Sequence, residues 1–371
     1  MSKSPTNATV FQIMEKLAPK HRAYTWDNVG LQIGNYNKKA KKIMVTLDVL
    51  ESVVEEAIAE NVDCIIAHHP LLFKPLKQIN LETPEGRTIA KLIQNDITVY
   101  AAHTNLDVVE HGVNDMLAKK LDLTKTKPLV VEGHQKLYKF AVHVPVSHVA
   151  EVKQAIGDAG GGEQGDYTHC SFEIRGTGSF KPVEGANPYI GEVGEITTVD
   201  EMKIEALVDE RKLDKVLEVV RKTHPYEEPA FDIIELSNKG ESYGLGRIGE
   251  IEQGMTFEHF IHFVKDKLRL TNVRVVGDLQ KEVKKIAVLG GSGEKYIHAA
   301  KQRGADVYIT GDMGFHQAQT AMEMGLAVID AGHYIEEIMK NHVRDYLQKY
   351  LKGYDVEIIA SQTDTNPFQY I

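Results

Sequence analysis

Short apolar runs rich in β-branched residues alternate, towards both ends of the chain, with stretches whose apolar positions recur at helical spacing. In the first third, "KKIMVTLDVLESVVEEAIAENVDCIIAHH" (41–69) reads as a strand, a helix, a turn at Asn61 and a second strand. In the last third, "KKIAVLGGSGEKYIHAAKQRGADVYITGD" (284–312) has the same order, with its turn at Gly304. Laid over each other without a gap, the two share eight identities in 29 positions, where about two are expected from ordinary residue frequencies. Each is a βαβ unit. After a 13-residue difference in loop length, "TVYAAHTNLD" (98–107) aligns with "VIDAGHYIEE" (328–337), matching His103 with His333 and Asp107 with Glu337. The pattern predicts a duplicated α/β core whose halves superimpose.

Between the halves the pattern changes. "YKFAVHVPV" reads as a strand, "SHVAEVKQAIGDA" as a capped helix, "HCSFEIRGTGSF" and "EITTVDEMKIEALV" as two strands, "DERKLDKVLEVVRKTH" as an Asp-capped helix and "PAFDIIEL" as a last strand. The order βαββαβ is that of the ferredoxin-like split unit. The expected organisation is a first half of the core over 1–128, an inserted ferredoxin-like α+β domain over 129–247, and a second half of the core over 248–371.

Composition narrows the function classes. With 42% hydrophobic and 26% charged residues, the 371-residue chain is of the soluble globular type. A formal charge of −10 argues against a general nucleic-acid binder, which needs clustered Lys and Arg to displace counterions. No stretch approaches the roughly 20 apolar residues that span a bilayer, and the amino terminus lacks a signal-peptide core, so a cytoplasmic protein is expected. The two cysteines, Cys64 and Cys170, form no CxxC, which leaves metal chemistry to the 16 histidines.

Ligands in open α/β sheets gather at the carboxyl ends of the strands, and the versatile residues lie there. His68 and His69 close one expected strand, His103 another, Asp312 a third and His333 a fourth. His333 and Glu337, four apart where a helix is expected to begin, would share one helical face. The histidines together with Asp107 and Glu337 exceed what one ion needs, which suggests two ions roughly 3.5 to 4 Å apart. Imidazole with carboxylate suits zinc, iron(II) or manganese, and ligand type alone does not choose among them; zinc is the expected ion, with iron or manganese as alternatives. Asp63 and Asp306 read as turn residues before buried strands. "VLGGSGEKY" (288–296) reads as a tight strand-to-helix turn or, less simply, an anion cradle.

The motifs "TWDNVGLQIG" (25–34), "AHHPLLF" (67–73), "AHTNLD" (102–107), "TGD" (310–312) and "DAGHYIEE" (330–337) resemble, in that order, the NGG-interacting-factor-three-like family of GTP cyclohydrolase I type 2 homologues. The resemblance implies a two-metal site with His68, His69, Asp107, His333 and Glu337 as ligands, two divalent ions per subunit, and His103 as a proton-transfer residue beside them. It implies a homohexamer, and a metal-dependent hydrolase of the GTP cyclohydrolase type in which a metal-bridged hydroxide attacks a nucleotide or another phosphate-containing small molecule. The alternative is a non-enzymatic metal-responsive scaffold or regulator. In the middle segment, "HPYEEPAFDI" (224–233) is similar to the signature of CutA/PII-like domains, for which an assembly role is expected. Trp26 is expected to pack, Asp27 and Asn28 to orient the site or make a turn, and Asp312 to support a ligand.

Overall fold

The computed structural model describes residues 3–369 and residue 371. The chain forms two compact units, one of residues 1–132 and 243–371, the other of residues 133–242. Residues 129–132 and 243–247, placed with the middle segment by the sequence pattern, thus belong to the first unit.

The first unit holds two sheets with one topology. In one, Gly30–Ile33 runs antiparallel to Thr98–Ala101, which lies parallel to Cys64–Ala67, itself parallel to Lys42–Thr46; Glu357–Ala360 completes that edge. In the other, Arg274–Val276 runs antiparallel to Ala327–Asp330, followed in parallel by Val307–Gly311 and Glu282–Ser292. Both sheets therefore read as an antiparallel edge followed by three parallel strands in reversed chain order. Parallel strands buried on both faces need continuous apolar runs, and Cys64–Ala67, Thr98–Ala101, Val307–Gly311 and Ala327–Asp330 are buried throughout. One apolar core joins the halves, running from Val10, Ile43 and Leu117 to Val288, Tyr308 and Val343.

The duplication extends to hydrogen bonds. Asp63 Oδ2 accepts from the N–H groups of Lys41 and Lys42, and Asp306 Oδ2 from those of Lys284 and Lys285, each pair 243 positions apart. Asn61 and Gly304, again 243 apart, both have positive φ after a helix, where the turn closes through Val62 N–H to Ala57 O and Ala305 N–H to Ala300 O. The third strands obey another offset. Cys64 pairs with Thr98 and Val307 with Ala327, so the offset there is 327 − 98 = 229, not the 230 that matching His103 with His333 requires. The equivalent of Asp107 is therefore 107 + 229, which is Glu336.

In the second unit, Val149–Asp158 and Glu210–Thr223 pack on the alternating apolar face made by Phe140, Val142 and Val144 with Ile204 and Val208. Asp209 caps the second helix by accepting from Arg211 N–H. Thr124–Pro145 lies between Thr197–Asp209 and Phe231–Thr256, with Phe172–Phe180 at the edge, which is the strand order of the ferredoxin-like split unit. Among the described residues no helix is long and apolar enough to cross a membrane.

Candidate metal centre

Three strands of the first unit, two in one sheet and one in the other, end in polar side chains that converge. Beyond Ala67 the strand conformation stops, which frees His68 and His69 from pointing to opposite faces; their rings lie 5.1 Å apart. His103 follows Thr98–Ala101 as the N-cap of the short helix Thr104–Val108, which carries Asp107. His333 follows Ala327–Asp330 and opens the 3-10 helix His333–Ile338.

That last element corrects the sequence expectation. A 3-10 helix stacks side chains at i and i+3, not i+4, so Glu336 faces the cluster with His333. Glu336 is 3% exposed, with Oε2 at 3.2 Å from His69 Nε2, 3.2 Å from His333 Nε2 and 3.7 Å from His68 Nε2. Glu337 points elsewhere, half-exposed and paired with Lys340 at 3.1 Å. His68, His69, His103, Asp107 and His333 are brought together as expected from the strand ends; Glu337 is not, and Glu336 takes the place.

Each imidazole is held from behind. His68 Nδ1–H donates to Ala102 O at 2.8 Å, while the Nδ1 atoms of His69, His103 and His333 bond Asp48, Asp27 and Asp312 at 2.7, 2.9 and 2.7 Å. An Nδ1–H anchored outward aims Nε2 inward, the atom that becomes a ligand once it gives up its proton. Asp27 also accepts from Thr104. Asp48, like Glu336, is a residue that sequence reasoning missed. It sits at the carboxyl end of Lys42–Thr46, the place that singled out the histidines, and its counterpart in the second half, 48 + 243, is Gly291. There the chain has φ +67, and a Cβ would lie 2.7 Å from Glu336 Oε1. The glycines of "VLGGSGEKY" thus make room for a carboxylate.

The electrostatics of the cluster suit a cation. His68 Nε2 and Asp107 Oδ1, 3.5 Å apart, are buried with no hydrogen-bond partner, a costly arrangement unless a further group satisfies both. Burial pushes Asp107 up to about 6. Burial opposes ionisation of Glu336 as well, yet His333, His68 and His69 hold it well below the usual carboxylate range. Burial depresses His69, but Asp48 and Glu336 outweigh it and raise the group to about 10; the bond to Glu336 lifts His333 to about 9. The ligand atoms form three groups close enough for one ion each: His68, Asp107 and Glu336; His69, His333 and Glu336; and His68, His69 and His103. The donor set of imidazole nitrogen and carboxylate oxygen fits a divalent transition metal.

A cleft of about 850 Å³ opens beside the cluster, with His69, His333, Asp48 and Asp312 in its wall. On another side Trp26, expected to be packed, is more than half exposed and stands edge-on to Phe73 and to His103. Other histidines stand outside this cluster. His224 donates through Nε2 to His143 O and accepts from Tyr226 N–H at Nδ1, so both ring nitrogens serve the turn. His316, His259, His262, His298 and His342 lie on exposed surface, and both cysteines are free.

Fold and site together define a duplicated α/β protein with a histidine–carboxylate cluster suited to metal at the strand ends. The chain belongs to the Duf34/NIF3 (NGG1p interacting factor 3) family, whose model matches residues 6–367. It is 49% identical over 373 residues to the GTP cyclohydrolase 1 type 2 homolog of Bacillus subtilis (strain 168), covering 100% of both chains. The crystal structure of a Bacillus cereus protein related to NIF3 aligns over 100% of both chains with a TM-score of 0.90 and 45% identity. That of Staphylococcus aureus protein SA1388 aligns over 99% of both with a TM-score of 0.71 and 35% identity.

Proposed function

We propose that the protein holds two divalent cations, zinc first among them, and uses them for hydrolysis of a nucleotide or another phosphate-containing small molecule, as the name borne by its relatives suggests. The observation that carries this reading is Glu336. Two of the three ligand groups share its carboxylate, one through His68 and Asp107, the other through His69 and His333, so Glu336 would bridge the ions. Cations held there would polarise a substrate oxygen and make water acidic enough to attack it near neutral pH. The protein does the rest: the Asp48 and Asp312 side chains and the Ala102 backbone carbonyl orient the imidazoles before binding. Asp27 holds the Nδ1 proton of His103, leaving Nε2 to take up or deliver a proton at the site.

The cleft beside His69 and His333 supports catalysis over a purely structural centre, because a structural site is closed by protein ligands. The test measures bound metal and turnover of GTP and other phosphate compounds by the wild type and by Glu336→Gln. Metal retention with turnover in the wild type, both lost in the variant, is expected. Turnover that survives loss of metal would sink the mechanism, and a metal-loaded protein inactive on every phosphate compound would favour the scaffold. We further propose, on its strand order, that the second unit is the CutA/PII-like domain expected from the sequence. Its exposed apolar residues, Phe172 and Ile196 among them, support a role in building a homohexamer.

A further inference from the structure

Within the second unit, a cavity of about 560 Å³ whose lining includes none of the candidate metal ligands has a buried carboxylate in its wall. That volume lies in the range of small-molecule sites. Glu201 is 7% exposed, and its one hydrogen-bond donor among the described residues is Tyr226, whose OH reaches Oε1 at 3.0 Å. Among the described residues no Lys, Arg or His forms an ion pair with it, although a buried charge ordinarily has such a partner. The backbone makes room for this group: a Cβ on Gly178 would lie 2.2 Å from Glu201 Oε2. A carboxylate offers several lone pairs, and one phenol does not use them.

The rest of the lining shows what would. Phe180, Tyr189 and Tyr226 supply aromatic surface, with the Phe180 ring 5.7 Å from Tyr226 edge-on and Tyr189 6.4 Å away, more than half exposed and open to stacking. Of the cations in the wall, Arg175 is paired with Asp200 and Lys203 with Glu205, which leaves Glu201, Glu227 and Glu228 against Lys181 and favours a ligand that presents N–H donors. A flat neutral ring can stack on the aromatics, and two neighbouring N–H donors on its edge can bond both oxygens of Glu201.

We propose that this cavity binds a planar nitrogen heterocycle carrying adjacent N–H donors, such as a 2-aminopyrimidinone edge, with Glu201 as the recognising acceptor. The site shares no residue with the candidate metal groups. Calorimetric titration of the full-length protein with guanosine, inosine, adenosine and guanidinium chloride tests it. Guanosine offers both donors, inosine lacks one and adenosine lacks the ring N–H. Guanosine is expected to bind, with inosine weaker by roughly tenfold or more for one lost charge-assisted bond. Glu201→Gln, checked for unchanged circular dichroism and melting, is expected to weaken guanosine by a similar factor, while Glu336→Gln leaves guanosine binding intact. Tyr226→Phe serves as a second variant should Glu201→Gln not fold: it removes the phenol bond, and a moderate loss is expected. Failure of all four probes to bind, binding indifferent to both variants, or preference for guanidinium over guanosine would each overturn the proposal.

Discussion

At the scale of single residues, adjacent glutamates in "HYIEE" make the sharpest prediction. Glu336 lies buried against three imidazoles, and Glu337 half-exposed against Lys340. Glu336→Gln is expected to lower divalent-metal affinity by more than the roughly 10–100-fold typical of losing a supporting group, whereas Glu337→Gln keeps metal content unchanged by elemental analysis. Equal losses would contradict the assignment. Asp48→Asn, which leaves the His69 ring in place but changes the acceptor at its Nδ1, belongs to the milder class, with a drop of about 10–100-fold. Calorimetric titration with zinc distinguishes the two grades. The histidines were legible because each follows an apolar run whose end is easily found. Asp48 ends such a run too, but a lone carboxylate after "VTL" has no feature that separates it from a turn residue.

At the scale of elements, the βαβ repeats were legible because strand and helix periods differ and because Asn61 and Gly304 mark matching turns. What could not be read was the register of the third strand. Matching histidine to histidine across the halves is one residue out, since strand pairing aligns Thr98 with Ala327, and the helix type after His333 depends on packing that no local pattern encodes. Element-level tolerance follows from the same geometry. Gly291 and Gly325 have nearly equal φ, +67 and +63, but a Cβ meets Glu336 Oε1 at 2.7 Å in the first and only the end of Lys301 at 3.8 Å in the second. Ala at either position carries the strain of left-handed backbone, about 1–2 kcal/mol. Gly291→Ala is expected to lose metal as well, and Gly325→Ala to melt lower while binding metal normally. Normal metal binding by Gly291→Ala would show that Glu336 has room to move.

At the scale of the whole first unit, the chain's last described segment ties distant parts of the fold to the candidate metal centre. Glu56, on the helix Glu51–Ala59, accepts from Ser361 Oγ, from the N–H groups of Gln362 and Thr363, and from Thr363 Oγ1. Two residues on, Thr365 Oγ1 donates to Asp48 Oδ2 at 2.5 Å, and the other oxygen of Asp48 holds His69. Burial works against the Glu56 charge, but its four donors outweigh that and depress its pKa below the ordinary 4.5. A depressed carboxylate contributes stability that is fully present above its unfolded pKa and is lost as pH falls through the folded one. The tail should therefore stay docked from neutrality down to about pH 4.5 and loosen progressively below it. Hydrogen exchange at Gln362 and Thr363, corrected for the intrinsic rate at each pH, reads this directly. Glu56→Ala should abolish that protection at neutral pH and, because Thr365 then holds Asp48 less firmly, weaken metal binding without touching a ligand. Protection at Gln362 and Thr363 that persists in Glu56→Ala would show that the tail is held by its own packing rather than by this carboxylate.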